Sequence, residues 1–177
     1  MYKRQLFNSL NTLRSLVREN QDKAQDYIQE LSRVLRYTLQ DNESQSVTLR
    51  EELEFASAYI FLLKMRYENN LQFDIQTDKA LEEYRVPPMS IQMLIENAVK
   101  HNEISNRKPL TIHITTNKKE EKLSVSNAIQ PKWTATPGTG IGLVNLAKRY
   151  RLLFKQDIQI TEDEEFTVCI PLIDEKQ

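Results

Sequence analysis

Gly138-Thr139-Gly140-Ile141-Gly142 contains every glycine of the chain, three among 177 residues. Ordinary proteins use about 7% glycine, which would give about a dozen. A chain that turns elsewhere without glycine has a backbone reason for it here. Glycine removes the Cβ barrier to positive φ and lets backbone approach a ligand closely. Downstream, Leu143, Leu146, Ala147, Tyr150 and Phe154 are spaced for one apolar face of a helix. A glycine loop feeding a helix N-terminus suits an anion, because free amides and the positive dipole end point at it. A tight loop without a ligand is the alternative.

Working back from that loop, two further elements carry polar groups that a simple core would not need. A helix is expected from about Pro88 to His101, since proline is tolerated in a first turn. Its core face is Ile91, Leu94, Ile95, Ala98 and Val99, at i, i+3, i+4, i+7, i+8 spacing. The opposite stripe carries Met93, Glu96, Asn97 and Lys100. Solvent contact alone would account for such a stripe, but an amide oxygen can ligate Mg²⁺ and a lysine suits phosphate. In Leu123-Ser124-Val125-Ser126-Asn127, alternation puts Asn127 on the inward face with Leu123 and Val125. A buried amide must find a hydrogen-bond partner, whether as a strand-end turn residue or as a ligand contact.

The rest of the chain divides by pattern. Leu6, Leu10, Leu13 and Val17 repeat at helix spacing, and Ala24, Tyr27, Ile28, Leu31, Val34 and Leu35 form a second stripe. Asn20 and Asp22 supply the break and cap between them. A polar stretch at 41–46 ends the second helix, and Thr48-Leu49-Arg50-Glu51 reads as a capping box for a third. The face of that third helix is Leu53, Ala56, Ile60, Leu63 and Tyr67. After Asn70 the period becomes two: Leu71, Phe73 and Ile75; then Leu110, Ile112 and Ile114; then Leu123 and Val125 after a charged turn at 117–121. Ile158 and Ile160, then Phe166, Val168, Ile170 and Leu172, close the chain as a hairpin. Helices first and a mixed half second predict an α+β chain of two modules, 1–69 and 70–177. Three helices have too little surface to bury each other, so a helical dimer is expected.

Taken together, Ile95-Glu96-Asn97-Ala98-Val99-Lys100-His101, Val125-Ser126-Asn127 and Gly138-Thr139-Gly140-Ile141-Gly142-Leu143, in that order, resemble the Bergerat-type ATP-binding fold of histidine kinases. More narrowly, Leu6-Phe7-Asn8-Ser9-Leu10-Asn11-Thr12-Leu13 is similar to the tail of the LytS/YehU-type motif N-P-H-F-L-F-N-S-L-N. Val47-Thr48-Leu49 to Glu52, Lys64-Met65-Arg66-Tyr67 and Pro87-Pro88 also match that family, so the resemblance runs from Leu6 onward. A dinucleotide-binding G-x-G-x-x-G is disfavoured, since it needs glycine at Leu143 and a strand leading into the loop.

The resemblance implies an α/β-sandwich ATP-binding domain behind dimerising helices, with ATP and Mg²⁺ as cofactors. Asn97 would ligate Mg²⁺, Lys100 would contact phosphate with His101 beside it, and Glu96 is a candidate catalytic carboxylate. Gly138, Thr139, Gly140, Ile141, Gly142 and Leu143 would line the nucleotide lid. Where the family has an aspartate for the adenine amino group, this chain has Asn127, whose carbonyl oxygen can still accept that bond. The glycines that follow in the family are replaced by Ala128-Ile129-Gln130-Pro131.

The acceptor motif departs further. Arg4 stands where the phospho-accepting histidine belongs, and Tyr2, Lys3 and Gln5 also differ. A guanidinium stays protonated and cannot act as the nucleophile. The two histidines, His101 and His113, fall on the Asn97 helix and in a strand, so neither substitutes. Such a match, starting at Leu6, predicts a chain cut within its acceptor motif; a true loss of the acceptor is the alternative. The function expected is phosphoryl transfer from ATP to a histidine and on to a response regulator. The rival is a non-catalytic nucleotide-binding dimerisation module.

Charge and composition agree with this reading. A net charge of −1 offers no nucleic-acid footprint. The apolar runs are too short for a transmembrane helix, and no secretory leader is expected. Cys169 stands alone, which excludes an internal disulfide and a cysteine-cluster metal site and fits a reducing compartment. The resemblance implies a cytoplasmic domain whose parent is held in the bacterial inner membrane by upstream segments.

Overall fold

The computed structural model describes residues 3–39, 45–132 and 141–175. Most of the polar break at 41–46 lies outside those residues, as do Gly138, Thr139 and Gly140. Helices α1 (Lys3–Glu19) and α2 (Gln21–Leu39) meet at Asn20, whose Oδ1 accepts the Lys23 amide at 3.0 Å. That bond satisfies one of the orphan amides that open a helix. The expected α1 stripe is divided by packing. Leu16 is buried and Leu13 partly so, while Phe7, Leu10 and Val17 stay exposed. On α2, Ala24, Tyr27, Leu31 and Val34 turn inward, and Ile28 does not.

Helix α3 (Leu49–Tyr67) starts on the expected capping box. The Glu51 amide donates to Thr48 Oγ1 at 3.2 Å, and the Thr48 amide donates to Glu51 Oε2 at 2.8 Å. Its apolar surface is wider than the single stripe read from the sequence. Phe55, Ala58, Tyr59 and Leu62 are buried as well, because α3 lies between α2 on one side and the mixed half on the other. A helix that is apolar nearly all round is a buried helix.

The mixed half is built on a five-stranded sheet of β2 (Leu71–Gln76), β4 (Leu110–Asn117), β5 (Lys122–Ala128), β6 (Gln159–Glu162) and β7 (Glu165–Pro171), in the order β2-β4-β5-β7-β6. β2 and β4 are parallel, with Leu71 opposite Leu110, and the other pairs are antiparallel. A parallel pair needs a crossover, and α4 (Ser90–His101) supplies it. Leu110, Ile112, Ile114, Leu123, Val125, Val168 and Ile170 form the buried face. Helix α4 packs there with α5 (Ile141–Phe154), whose Leu146 and Tyr150 are fully buried. The alternate residues, among them Thr111, His113, Ser124 and Ser126, make a polar, half-exposed back face.

One small element escaped sequence reading. β1 (Val47–Thr48) pairs antiparallel with β3 (Arg85–Val86), and Arg85 in turn exchanges backbone bonds with Ile173. Two residues carry no readable period, yet this ribbon ties the start of α3 to the end of the sheet. The fold is α+β, as expected. Among the described residues, no helix is long and apolar enough to cross a membrane.

Candidate functional site

Helix α4 carries four of the expected site residues, Glu96, Asn97, Lys100 and His101, and both of its ends are fixed by other elements. Pro87-Pro88 precede the helix and do not enter its first turn. Met89, between them and Ser90, takes a left-handed conformation with φ of 66° and makes no side-chain cap of its own. The cap comes from α3. Glu52 Oε1 accepts the Met89 amide at 2.5 Å, and Oε2 accepts the Ile91 amide at 3.1 Å. A third donor, the Tyr37 hydroxyl of α2, reaches Oε1 at 3.0 Å. Arg149 of α5 donates to Pro88 O at 2.8 Å, which sets a cation near the same corner.

The Glu52 side chain is fully buried, at 0% exposure. Burial pushes its pKa above the ordinary carboxylate range, and the bonds from Met89, Ile91 and Tyr37 with the Arg149 charge pull it back. Burial and the same carboxylate hold the Tyr37 hydroxyl well above its usual pKa. Desolvation lowers that of Arg149. A carboxylate at a helix N-terminus also meets the positive end of the dipole, an effect of about 0.3–2 kcal/mol.

The other end of α4 is stitched to the exit of β5. Buried Asn102 donates through Nδ2 to Ala98 O at 2.9 Å and accepts the Gln130 amide on Oδ1 at 2.7 Å. The Glu103 amide donates to Gln130 O at 2.6 Å. Lys132 Nζ donates to Val99 O at 2.9 Å and Lys100 O at 2.8 Å, placing a cation on the negative end of the helix. The helix that bears Asn97 and the strand that bears Asn127 are thereby held together.

Each expected site residue can now be located. Asn97 is half-buried and Lys100 exposed, on the outward stripe of α4. Glu96, on the same stripe, accepts Gln92 Nε2 at 2.6 Å and faces the Tyr59 hydroxyl of α3. His101 closes the helix, and burial, then the Lys100 and Lys132 charges, push its pKa below the ordinary value. Asn127 is inward, as alternation requires, and 2% exposed. Its Nδ2 donates to Ala128 O at 2.7 Å, which leaves Oδ1 as the acceptor. Ile141, Gly142 and Leu143 open α5, and the side chain of Ile141 lies outside the described residues. Among the described residues, a Cβ added at Gly142 would meet nothing within 4 Å. Arg4 falls within α1, with its side chain outside the described residues.

A family model described as histidine kinase matches residues 5–71. Sensor protein LytS of Staphylococcus epidermidis is 32% identical over 162 residues, covering 84% of this chain and 27% of that protein. LytS of Enterococcus faecalis is 30% identical over 162 residues, again 84% of this chain and 28% of its own length. The chain belongs to the histidine kinases, of the LytS type. The Staphylococcus aureus relative, described as sensor histidine kinase/phosphatase LytS, is 40% identical over 102 residues, 58% of this chain and 17% of that protein. The chain therefore spans about a quarter of the length of the curated relatives it matches over most of its own length. Among solved structures, the catalytic domain of histidine kinase ThkA is 20% identical and covers 73% of this chain and 99% of that domain, with a TM-score of 0.50. That likeness shows the fold.

Several residues that shape this histidine kinase segment are not among the expected site residues. Glu52 is one of them. Its signal was there: Leu49, Glu52, Ala56, Tyr59 and Leu63 recur at helix spacing, with one charge among apolar residues. Asn102, Gln130 and Arg149 carried no such signal, since their partners are distant backbone atoms.

Proposed function

We propose that this chain is the ATP-handling part of a sensor histidine kinase, with the nucleotide held between α4, the end of β5 and the glycine segment ahead of α5. The observation that carries this reading is the joint at Asn102 and Gln130, which couples the Asn97 helix to the Asn127 strand. Gly142 adds support, because no described residue packs against its Cβ position and a glycine lets a ligand come close. In this reading Asn97 ligates Mg²⁺, and Lys100 and His101 lie beside the phosphates. Asn127 Oδ1 accepts from the adenine amino group, and Gly138, Thr139, Gly140, Ile141, Gly142 and Leu143 line the lid.

The donor set fits Mg²⁺. Among the described residues, no group of three or more His, Cys, Asp or Glu could hold a metal ion. Mg²⁺ needs none when it keeps several waters and is bound through few protein oxygens plus substrate phosphates. When bound it neutralises charge on the phosphate oxygens of the transferring group. The protein's own work is positioning: α4 presents its amide and cation at fixed spacing, and Glu96, held by Gln92, is aimed from the same stripe.

Residues 1–69 would serve as the dimerisation and phosphotransfer module, and 70–177 as the catalytic one. Exposed Phe7, Leu10 and Val17 on α1 support a homodimer through the helices. The γ-phosphoryl group would pass to a histidine nitrogen and then to an aspartate of a response regulator, in a cytoplasmic domain of a membrane-held parent. Arg4 favours a second reading for the chain as it stands, nucleotide binding without self-phosphorylation. Titration with a fluorescent ATP analogue and Mg²⁺ tests the core of the proposal. Saturable, Mg²⁺-dependent binding is expected, and no saturation at millimolar nucleotide would refute it.

A further inference from the structure

The buried Glu52 corner lies outside the expected site residues and joins three helices. Tyr37 reaches it from α2, the carboxylate itself belongs to α3, and its two backbone donors are the amides of Met89, just ahead of α4, and Ile91, in its first turn. A helix normally finds its N-terminal cap in its own preceding residue. Here that residue is Met89, which has no capping side chain and sits in a left-handed conformation that only a well-determined surrounding would maintain. The Met89 and Ile91 amides are committed to one carboxylate from another helix. The Tyr37 ring is itself fixed by stacking on Phe55, with centroids 4.1 Å apart and planes at 17°. Glu52 is thus held by α2 at the moment it holds α4.

We propose that Glu52 is a positioning residue that couples the helical pair to the ATP site, with Tyr37–Glu52–Met89 and Ile91 as the physical link. This rests on the reading of α4 as the nucleotide helix. A shift of α2 against α3 moves the Tyr37 hydroxyl off the carboxylate. The buried carboxyl group then loses one of its three donors, and the α4 cap weakens while the stripe at Asn97 and Lys100 loses its fixed origin. Coupling of this kind is reciprocal, so nucleotide on α4 must also tighten the Tyr37 region of α2. A cap that served only stability would transmit nothing to α2.

Hydrogen–deuterium exchange with and without an ATP analogue and Mg²⁺ tests this on the full chain. Wild type, Tyr37→Phe and Glu52→Gln are compared, with affinity measured alongside. Tyr37→Phe removes one hydroxyl and keeps the stacked ring, so it folds even if Glu52→Gln does not. In wild type, nucleotide is expected to slow exchange at Met89, Ile91 and the α2 segment around Tyr37. In Tyr37→Phe the α2 response disappears while α4 still responds, and affinity falls by about fivefold, the lower end of typical coupling. An α2 response absent from nucleotide-bound wild type, or retained with unchanged affinity in Tyr37→Phe, overturns the coupling and leaves the ATP-site reading standing. A wild type that binds no nucleotide overturns both.

Discussion

Asn102 holds Gln130 across 28 residues of sequence: Oδ1 accepts the Gln130 amide at 2.7 Å while Nδ2 stays on Ala98 O of the same helix. One side chain therefore spans the end of α4 and the exit of β5, the two elements whose polar residues were singled out by chemistry. Asn102→Ala removes both bonds in a site that is 6% exposed. We expect a loss of about 2 kcal/mol in urea unfolding, from two lost bonds and a stranded Gln130 amide. Nucleotide affinity should fall with it, because the two halves of the site are no longer registered.

Asn97→Ala separates folding from binding. Asn97 is half-buried on the outward stripe of α4, away from Ile91, Leu94 and Ile95. Unfolding stability should stay within about 0.5 kcal/mol of wild type, the range of surface changes. Mg²⁺-dependent nucleotide binding should fall by about tenfold or more, equal to about 1.4 kcal/mol. Equal losses with and without Mg²⁺ would remove Asn97 from the metal.

The capping box at Thr48 gives a purely structural test. Thr48→Ala deletes the acceptor for the Glu51 amide and should cost about 1 kcal/mol. Thr48 is also the last residue of β1 in the β1–β3 ribbon, so exchange at Val47 and Val86 should quicken together.

His101 offers a pH signature. Burial, then the charges of Lys100 and Lys132, hold its pKa below the ordinary imidazole value of 6.5. A base whose folded pKa is depressed contributes stability that is present above the unfolded value and is lost as pH falls through the folded one. Two-dimensional NMR of the two imidazoles should show His101 titrating below 6.5. Lys132→Gln should raise that midpoint, and an unmoved midpoint would place the lysine charge elsewhere.

Periodicity carried most of the fold. The α3 capping box, the alternation of β4 and β5 and the inward Asn127 all follow from local spacing, and each is found where spacing put it. Packing between distant segments was not readable that way. On the expected α1 stripe Leu13 is partly buried while Leu10 and Val17 stay exposed, and α3 buries Phe55, Tyr59 and Leu62 because it is covered on two sides. The cap on α4 was invisible for the same reason. Met89 and Glu52 are 37 residues apart, and only the tertiary fold brings a carboxylate to those amides. For the site, α4 and Asn127 were legible through chemistry that a core does not need, whereas Asn102 looks like any helix-end asparagine.

The central claim is an ATP-handling histidine kinase segment whose acceptor position is filled by Arg4. Incubation with γ-labelled ATP and Mg²⁺, followed by an acid-lability check, tests it most directly. The chain as it stands should bind nucleotide and take no label. The combined substitution Tyr2→Asn, Lys3→Pro, Arg4→His and Gln5→Phe should acquire a label that is lost in acid, as a phosphoramidate is. Label on the unsubstituted chain, or none on a substituted chain that binds ATP and dimerises, would contradict the account.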